Sequence, residues 1–356
     1  MKKALKIIGL VLAVLLVIVI GYVAYVFLAY HRIGDCRIEP VNEVSAEADA
    51  EKDYRIVSWN IGFGAYEDDY GFFMDGGTEA WAWSRERLNE NLSEISERLL
   101  AQDADFLLVQ EVDTDATRSY RVDESAVICE RLDKEYTHTF AQNYDSPFLF
   151  YPFRQPFGSV KAGIMTFSKY PVTYAERKEL PIETGVTKFL DLDRCYSKDT
   201  IPLSNGKNLV LYNFHLSAYT SDGVVTTRQL ELLLRDMQAE YDNGNYVVGG
   251  GDFNKDVLPD SQAYYGGDSS EYTWAQTIPP ESFDGFDIRL IQPFDPKNPM
   301  PSCRNADGPY NPSQFVINID GFLVSENVEV TGADVINYAF ENSDHNPVYM
   351  NFRFLE

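Results

Sequence analysis

From Ile7 to Tyr30 the chain carries no charged residue. Those twenty-four residues, at 1.5 Å each, would make a helix about 36 Å long, enough to cross a hydrocarbon core of about 30 Å with some tilt. The run is longer than the apolar core of a usual signal peptide and has no small-x-small exit before His31, so an uncleaved anchor is expected. Ile33-Gly34-Asp35-Cys36 does not make a lipidation box, because Asp35 stands where a small residue belongs. Lys2, Lys3 and Lys6 precede the run and the chain turns acidic from Asp35. The positive-inside rule therefore predicts a single-pass protein with a cytoplasmic N-terminus and an extracytoplasmic remainder.

That remainder is strongly acidic. Residues 31–356 hold 27 basic and 55 acidic side chains, a formal charge of −28. A protein that grips nucleic acid through its phosphates shows a basic footprint, and none exists here overall, so a nucleic-acid partner is not favoured. Four widely spaced cysteines (Cys36, Cys129, Cys195, Cys303) match neither a disulfide framework nor a zinc-site spacing.

Three segments are expected: residues 1–30 as basic flank and anchor, 31–52 as an acidic tether without hydrophobic period, and 53–356 as one folded domain. Ile56 to Trp59 and Phe106 to Val109 read as buried strands, each ending on a polar residue. Gly163 to Phe167, Leu209 to Phe214, Tyr246 to Val248, Val316 to Val324 and Val348 to Phe352 are further strand candidates. Leu88, Leu92, Ile95 and Leu99 form one apolar helical stripe that Ser84 can cap, and Leu230, Leu233, Leu234 and Met237 repeat it. Many strands with few helices predict an α+β fold of two stacked mixed β-sheets with helices outside, a four-layer α/β/β/α sandwich behind one transmembrane helix.

Polar signatures stand at the strand ends: Trp59-Asn60, Gln110-Glu111, Asn213-Phe214-His215-Leu216, Gly251-Asp252-Phe253-Asn254, Ile319-Asp320-Gly321 and Ser343-Asp344-His345-Asn346-Pro347. Singly each has a plain explanation, since Asn60 and Glu111 can end strands and Gly249 to Gly251 can make a turn. The glycine run lacks the Gly-Lys-Ser/Thr of a phosphate-cradling loop. Asp252, Asn254 and Asp256 begin like an EF-hand loop, but Val257 and Ala263 occupy its glycine and terminal glutamate positions. No Gly-x-Ser-x-Gly elbow occurs, which disfavours a serine or cysteine hydrolase.

Taken in order, Trp-Asn, Gln-Glu, His-Leu, Gly-Asp-Phe-Asn, Ile-Asp and Ser-Asp-His resemble the endonuclease/exonuclease/phosphatase superfamily of deoxyribonuclease-like nucleases, sphingomyelinases and inositol-phosphate phosphatases, over residues 54 to 354. The resemblance implies that Asn60 and Glu111 bind a metal with help from Asp344. Hard oxygen donors suit Mg²⁺, with Mn²⁺ or Ca²⁺ as alternatives. It implies that Asp252 orients or deprotonates the attacking water, that His215 and Asn254 donate to the scissile phosphate, and that His345 is a second catalytic histidine oriented by Asp320. Arg118 and Arg194 are candidate phosphate contacts, against the alternative of surface salt bridges, and Tyr151 is a candidate active-site tyrosine. Gly62, two residues after Asn60, departs from branches that carry an acid there.

The expected function is a metal-dependent hydrolase of phosphoesters, a phosphodiesterase before a phosphomonoesterase, favouring a lipid or small phosphodiester. The alternatives are a nuclease acting on extracellular nucleic acid and an inactive binding domain on the same scaffold. A binding module is expected to lose one of Glu111, Asp252, Asn254 or His345, and all four are present. No protein partner is read from the sequence.

Overall fold

The computed structural model describes residues 2–183, 185, 193–218 and 224–355. Helix α1 (Lys2–Ala29) is followed by β1 (Cys36–Ile38), β2 (Tyr54–Asn60), α2 (Arg85–Ala101), β3 (Phe106–Asp113) and α3 (Glu124–Leu132). Next come β4 (Thr137–Asp145), β5 (Lys161–Ser168), β6 (Tyr174–Glu179), β7 (Cys195–Pro202), β8 (Asn208–His215), α4 (Val224–Asp242) and β9 (Tyr246–Asp252). The chain closes with β10 (Ile288–Ile291), β11 (Cys303–Arg304), β12 (Val316–Ile317), β13 (Asp320–Ser325), β14 (Val328–Val335) and β15 (Val348–Phe354).

Two mixed sheets carry the domain, ordered β1-β6-β7-β8-β9-β13-β10 and β14-β15-β2-β3-β5-β4. Each has one parallel pair near its centre, β8 with β9 and β2 with β3. Ile56, Phe106, Leu108, Leu211, Val248, Phe322 and Met350 meet between the sheets. The apolar stripe of α2 buries on the outer face of one sheet and that of α4 on the outer face of the other, completing the four expected layers. Ser84 caps α2 as expected, its Oγ accepting from the Arg87 amide at 3.1 Å. A helix start without such an acceptor leaves orphan N–H groups.

Three local expectations change. The Val316 to Val324 run is not one strand, because Ser302 Oγ takes the Ile319 and Asp320 amides at 3.0 and 3.2 Å, while Phe253 and Val257 donate to the Ile319 and Asn318 carbonyls. Gly249 to Gly251 lie inside β9 and make no turn. A Cβ on Gly250 would fall 2.7 Å from Phe322 and 2.9 Å from Leu108 of the facing sheet, and one on Gly251 would fall 1.9 Å from the Phe214 carbonyl oxygen. Residues 31–52 are laid along the domain rather than hanging free: β1 pairs with β6, Val41 bridges His138, and Ala48 is buried beside Leu203. All four cysteines are free thiols.

Candidate active site

The two parallel pairs point their carboxyl ends the same way, and the site forms where they meet. Asn60 ends β2, His215 ends β8 and Asp252 ends β9, with His215 and Asp252 in register. Glu111 reaches the same place by a bulge. The β3–β5 register shifts between Val109 and Val112, and Glu111 takes φ +57°, a left-handed conformation uncommon for a residue with a side chain. Such bulges re-aim one side chain out of a strand's alternation.

Asp252 is the hub. Its Oδ2 receives Asn60 Nδ2 at 3.1 Å and lies 3.5 Å from His215 Nε2 and 3.8 Å from His345 Nε2. Its Oδ1 accepts the Asn254 amide at 2.7 Å. Burial pushes the Asp252 carboxyl up to about 7, with Asp320 adding to the shift and His345 opposing it. His215 is held well below the usual imidazole range by burial, then by Arg194 and His345, so it is neutral. His345 is the opposite case. Burial disfavours its charge, yet Asp320, Cys303 and Asp344 together outweigh burial and hold it well above the usual range. Asp320 Oδ2 stands 2.9 Å from His345 Nδ1 and also accepts Ser302 Oγ at 2.7 Å. Thus a cationic imidazole, a neutral imidazole and a carboxyl poised near neutrality face one space, a set able to donate and accept protons at a single reacting centre.

That space is a cleft of about 120 Å³. Glu111, Arg118, Arg194, His215, Asp252, Asn254, Asp344 and His345 line it, while Asn60 and Asp320 stand behind the wall. Asn60 turns its amide nitrogen to Glu111 (3.2 Å) and Asp252, and its oxygen accepts the Gly62 amide at 3.0 Å. Presenting that oxygen to an ion requires the amide to rotate. Asn254 Nδ2 donates to the Leu216 carbonyl at 2.8 Å and to Asp252 Oδ2 at 3.4 Å, at the edge of the cleft. Arg118 is a buried, bidentate partner of Asp113 at 2.8 and 3.0 Å, so the surface salt-bridge reading does not describe it. Arg194 donates to the His215 carbonyl at 3.5 Å.

Tyr151 is not brought to the cleft. It is 64% exposed, with its ring against Phe73 and Phe153, and the lining hydroxyls come from Tyr66 and Tyr144. Cys303 and Arg304 also escaped the sequence reading. Cys303 Sγ lies 3.6 Å from His345 Nε2. Arg304 is buried and anchored to the carbonyls of Gly308, Glu67 and Tyr70 at 3.1, 2.9 and 3.3 Å. Two of those carbonyls belong to the loop after β2, a partnership across more than 230 positions that no local pattern announces.

The model of the endonuclease/exonuclease/phosphatase family matches residues 57–345. No curated protein sequence matches. Among solved structures the chain is similar to an endonuclease/exonuclease/phosphatase from Beutenbergia cavernae DSM 12333, with 18% identity, 85% of this chain and 72% of that one covered, and a TM-score of 0.55. The human Nocturnin catalytic domain with bound sulfate anion has 17% identity, coverage of 89% and 97%, and a TM-score of 0.54. ANGEL2, described as a 2′,3′-cyclic phosphatase and bound to adenosine-2′,3′-vanadate, has 16% identity, coverage of 90% and 99%, and a TM-score of 0.57. At these identities the likeness is one of fold.

Proposed function

The chain belongs to the endonuclease/exonuclease/phosphatase family, and from that premise we propose that it is a divalent-metal-dependent phosphodiesterase, anchored by α1 with its catalytic domain outside the cytoplasm. The observation that carries the reaction is the surrounding of Asp252 Oδ2 by Asn60, His215 and His345 within 3.1 to 3.8 Å. α1 is long and apolar enough to cross a membrane and buries only Val26, which supports the anchor.

The donor set fits a hard cation. Asp344 is pushed up to about 6, by burial first, with His345 opposing the shift and Glu111 adding to it, and a cation held by the two carboxylates would relieve that repulsion. Glu111 and Asp344, with Asn60 after amide rotation, would hold Mg²⁺. When bound, that ion neutralises charge on the phosphoryl oxygens. The chain's own groups do the rest. Asp252 takes the proton of a water placed in line with the phosphorus. His215 and Asn254 donate to the non-bridging oxygens. Protonated His345, its Nδ1 held by Asp320, turns Nε2 toward the leaving oxygen and gives it a proton as the ester P–O bond breaks. The sequence of steps needs no covalent intermediate.

The test uses the full chain in detergent with Mg²⁺, assayed on a nitrophenyl phosphodiester, a phosphomonoester, sphingomyelin and DNA. Turnover of a diester that disappears in Asp252→Ala supports the reading. Binding of phosphoesters without turnover of any of them would leave the inactive-scaffold alternative standing.

A further inference from the structure

The segment after β4 does something that a cleft wall does not require: it holds on to α1. Tyr25 Oη accepts the Phe148 amide at 3.0 Å, Tyr22 Oη donates to the Phe148 carbonyl at 3.1 Å, and the same hydroxyl lies 3.3 Å from the Phe150 amide. The Tyr22 and Phe150 rings meet edge to face at 5.0 Å. Beyond these contacts Phe150, Tyr151 and Phe153 are 52%, 64% and 85% exposed. Outside α1, no large apolar side chain among the described residues is more exposed than Phe153.

The depth of this contact follows from helical rise. Counting from Ile7, about twenty residues fill a ~30 Å hydrocarbon core, so its outer boundary falls near Phe27. Tyr22 and Tyr25 then stand just inside that boundary, where tyrosines concentrate in spanning helices. A loop bonded to both must descend to the same level. We propose that residues 147–153 are a second membrane contact, seated in the outer interface of the bilayer that α1 crosses. The inference rests on the anchoring reading given above.

Polar main-chain groups entering lipid need internal partners, and several in this segment have them. Tyr22 and Tyr25 satisfy Phe148 and Phe150, Leu149 exchanges both of its bonds with Gly158, and the Tyr151 carbonyl accepts the Phe157 amide. Pro147 and Pro152 have no N–H to satisfy. Arg154, exposed just beyond the aromatic tip, can reach lipid phosphates on a flexible stem.

The chain also has little slack to lift the domain away. Immediately after α1, His31 meets Asp145 at 3.0 Å, Arg32 donates to the Leu180 carbonyl at 2.8 Å, and Arg177 donates to the carbonyls of Ile33 and Gly34. The far end of the segment is cleft wall, since Phe157 lines the cleft and Tyr151 packs on Phe73, whose ring meets the lining Phe72 at 4.8 Å. Seating the loop in the interface therefore sets the cleft beside the headgroup layer.

The test uses the full chain reconstituted in phosphatidylcholine vesicles with acyl chains brominated near the headgroup. A Phe153→Trp variant is compared with Leu232→Trp, exposed on α4, each read as a difference from the wild type. Expected are a blue shift and loss of emission at position 153 and no change at position 232. If the chain resists alkaline carbonate extraction but emission at position 153 matches that in unbrominated vesicles, the loop contact is overturned while the anchor stands. Release of the chain by carbonate would overturn the anchor and the loop contact with it. Both variants are at exposed positions, and an unchanged circular dichroism spectrum confirms the fold.

Discussion

Asp320 Oδ2 lies 2.9 Å from His345 Nδ1 while the same oxygen accepts the Ser302 hydroxyl, so one carboxylate fixes the ring orientation of the imidazole and favours its charge. A pair of this kind works as a unit. Asp320→Asn and His345→Ala are each expected to remove most turnover, and the double variant to lose little more, because groups acting together are not additive. Steady-state kinetics on the four proteins decide it. Additive losses would show that Asp320 does not act through His345.

Glu111 combines function with strain. Chelation is expected to stop turnover without unfolding the domain, and Glu111→Gln to weaken metal affinity in a calorimetric titration. Full turnover in chelator would refute the metal assignment. Its φ of +57° adds a second expectation, because glycine occupies that region at no steric cost. Glu111→Gly is therefore expected to be inactive yet as stable as the wild type, or more stable by about 1 kcal/mol. A large drop in its melting temperature would show that the carboxylate has a structural role.

Between the sheets, Asp199 accepts Thr139 Oγ1 at 2.6 Å and Ser197 Oγ at 2.9 Å, yet burial pushes its carboxyl up to about 6 against those bonds. A pKa raised on folding gives stability that is complete below the unfolded value near 3.8 and is lost as pH rises through about 6. Asp199→Asn cannot ionise and lacks this dependence. From pH 4 to 6 the wild type should lose on the order of 2 kcal/mol relative to the variant. Parallel melting-temperature profiles would refute the assignment.

What the sequence disclosed here follows from where its signals are local. The strand-end pairs Trp59-Asn60 and Ser343-Asp344-His345 could be read because a polar residue stops an apolar run, and the stripe of α2 because burial repeats every turn. The bulge at Glu111 could not, since an inserted residue leaves the apolar pattern of Phe106 to Val109 intact. Arg304 and Tyr66 were missed for a different reason. Each reaches the cleft from a long connection whose course is set by partners far away in the chain, as Arg304 shows by bonding to the Glu67 and Tyr70 carbonyls. For Tyr151, residue type alone does not give the direction of a side chain in an irregular segment. Phe157 and Leu149 turned inward while Tyr151 and Phe153 turned out.

Substrate choice gives the last prediction. Arg118, Arg194 and Arg304 line the cleft and are themselves buried, so the arginines placed to meet phosphate sit inside a cavity and are not spread along a track. Around that cavity, residues 31–356 carry a formal charge of −28. A duplex must bring many phosphates against this surface, whereas a lipid or small phosphodiester brings one or two into the pocket. The specificity constant is therefore expected to be higher for a lipid or small phosphodiester than for double-stranded DNA at physiological salt. The sign of the salt response separates the two cases further. Proteins that hold DNA by phosphate contacts lose affinity as salt rises. Here the dominant long-range term is repulsion, which salt screens over a Debye length of about 8 Å near 0.15 M. Any cleavage of DNA should thus increase with added potassium chloride, while turnover of a zwitterionic diester stays nearly level. DNA cleaved with the higher specificity constant, and more slowly as salt is added, would overturn this choice of substrate.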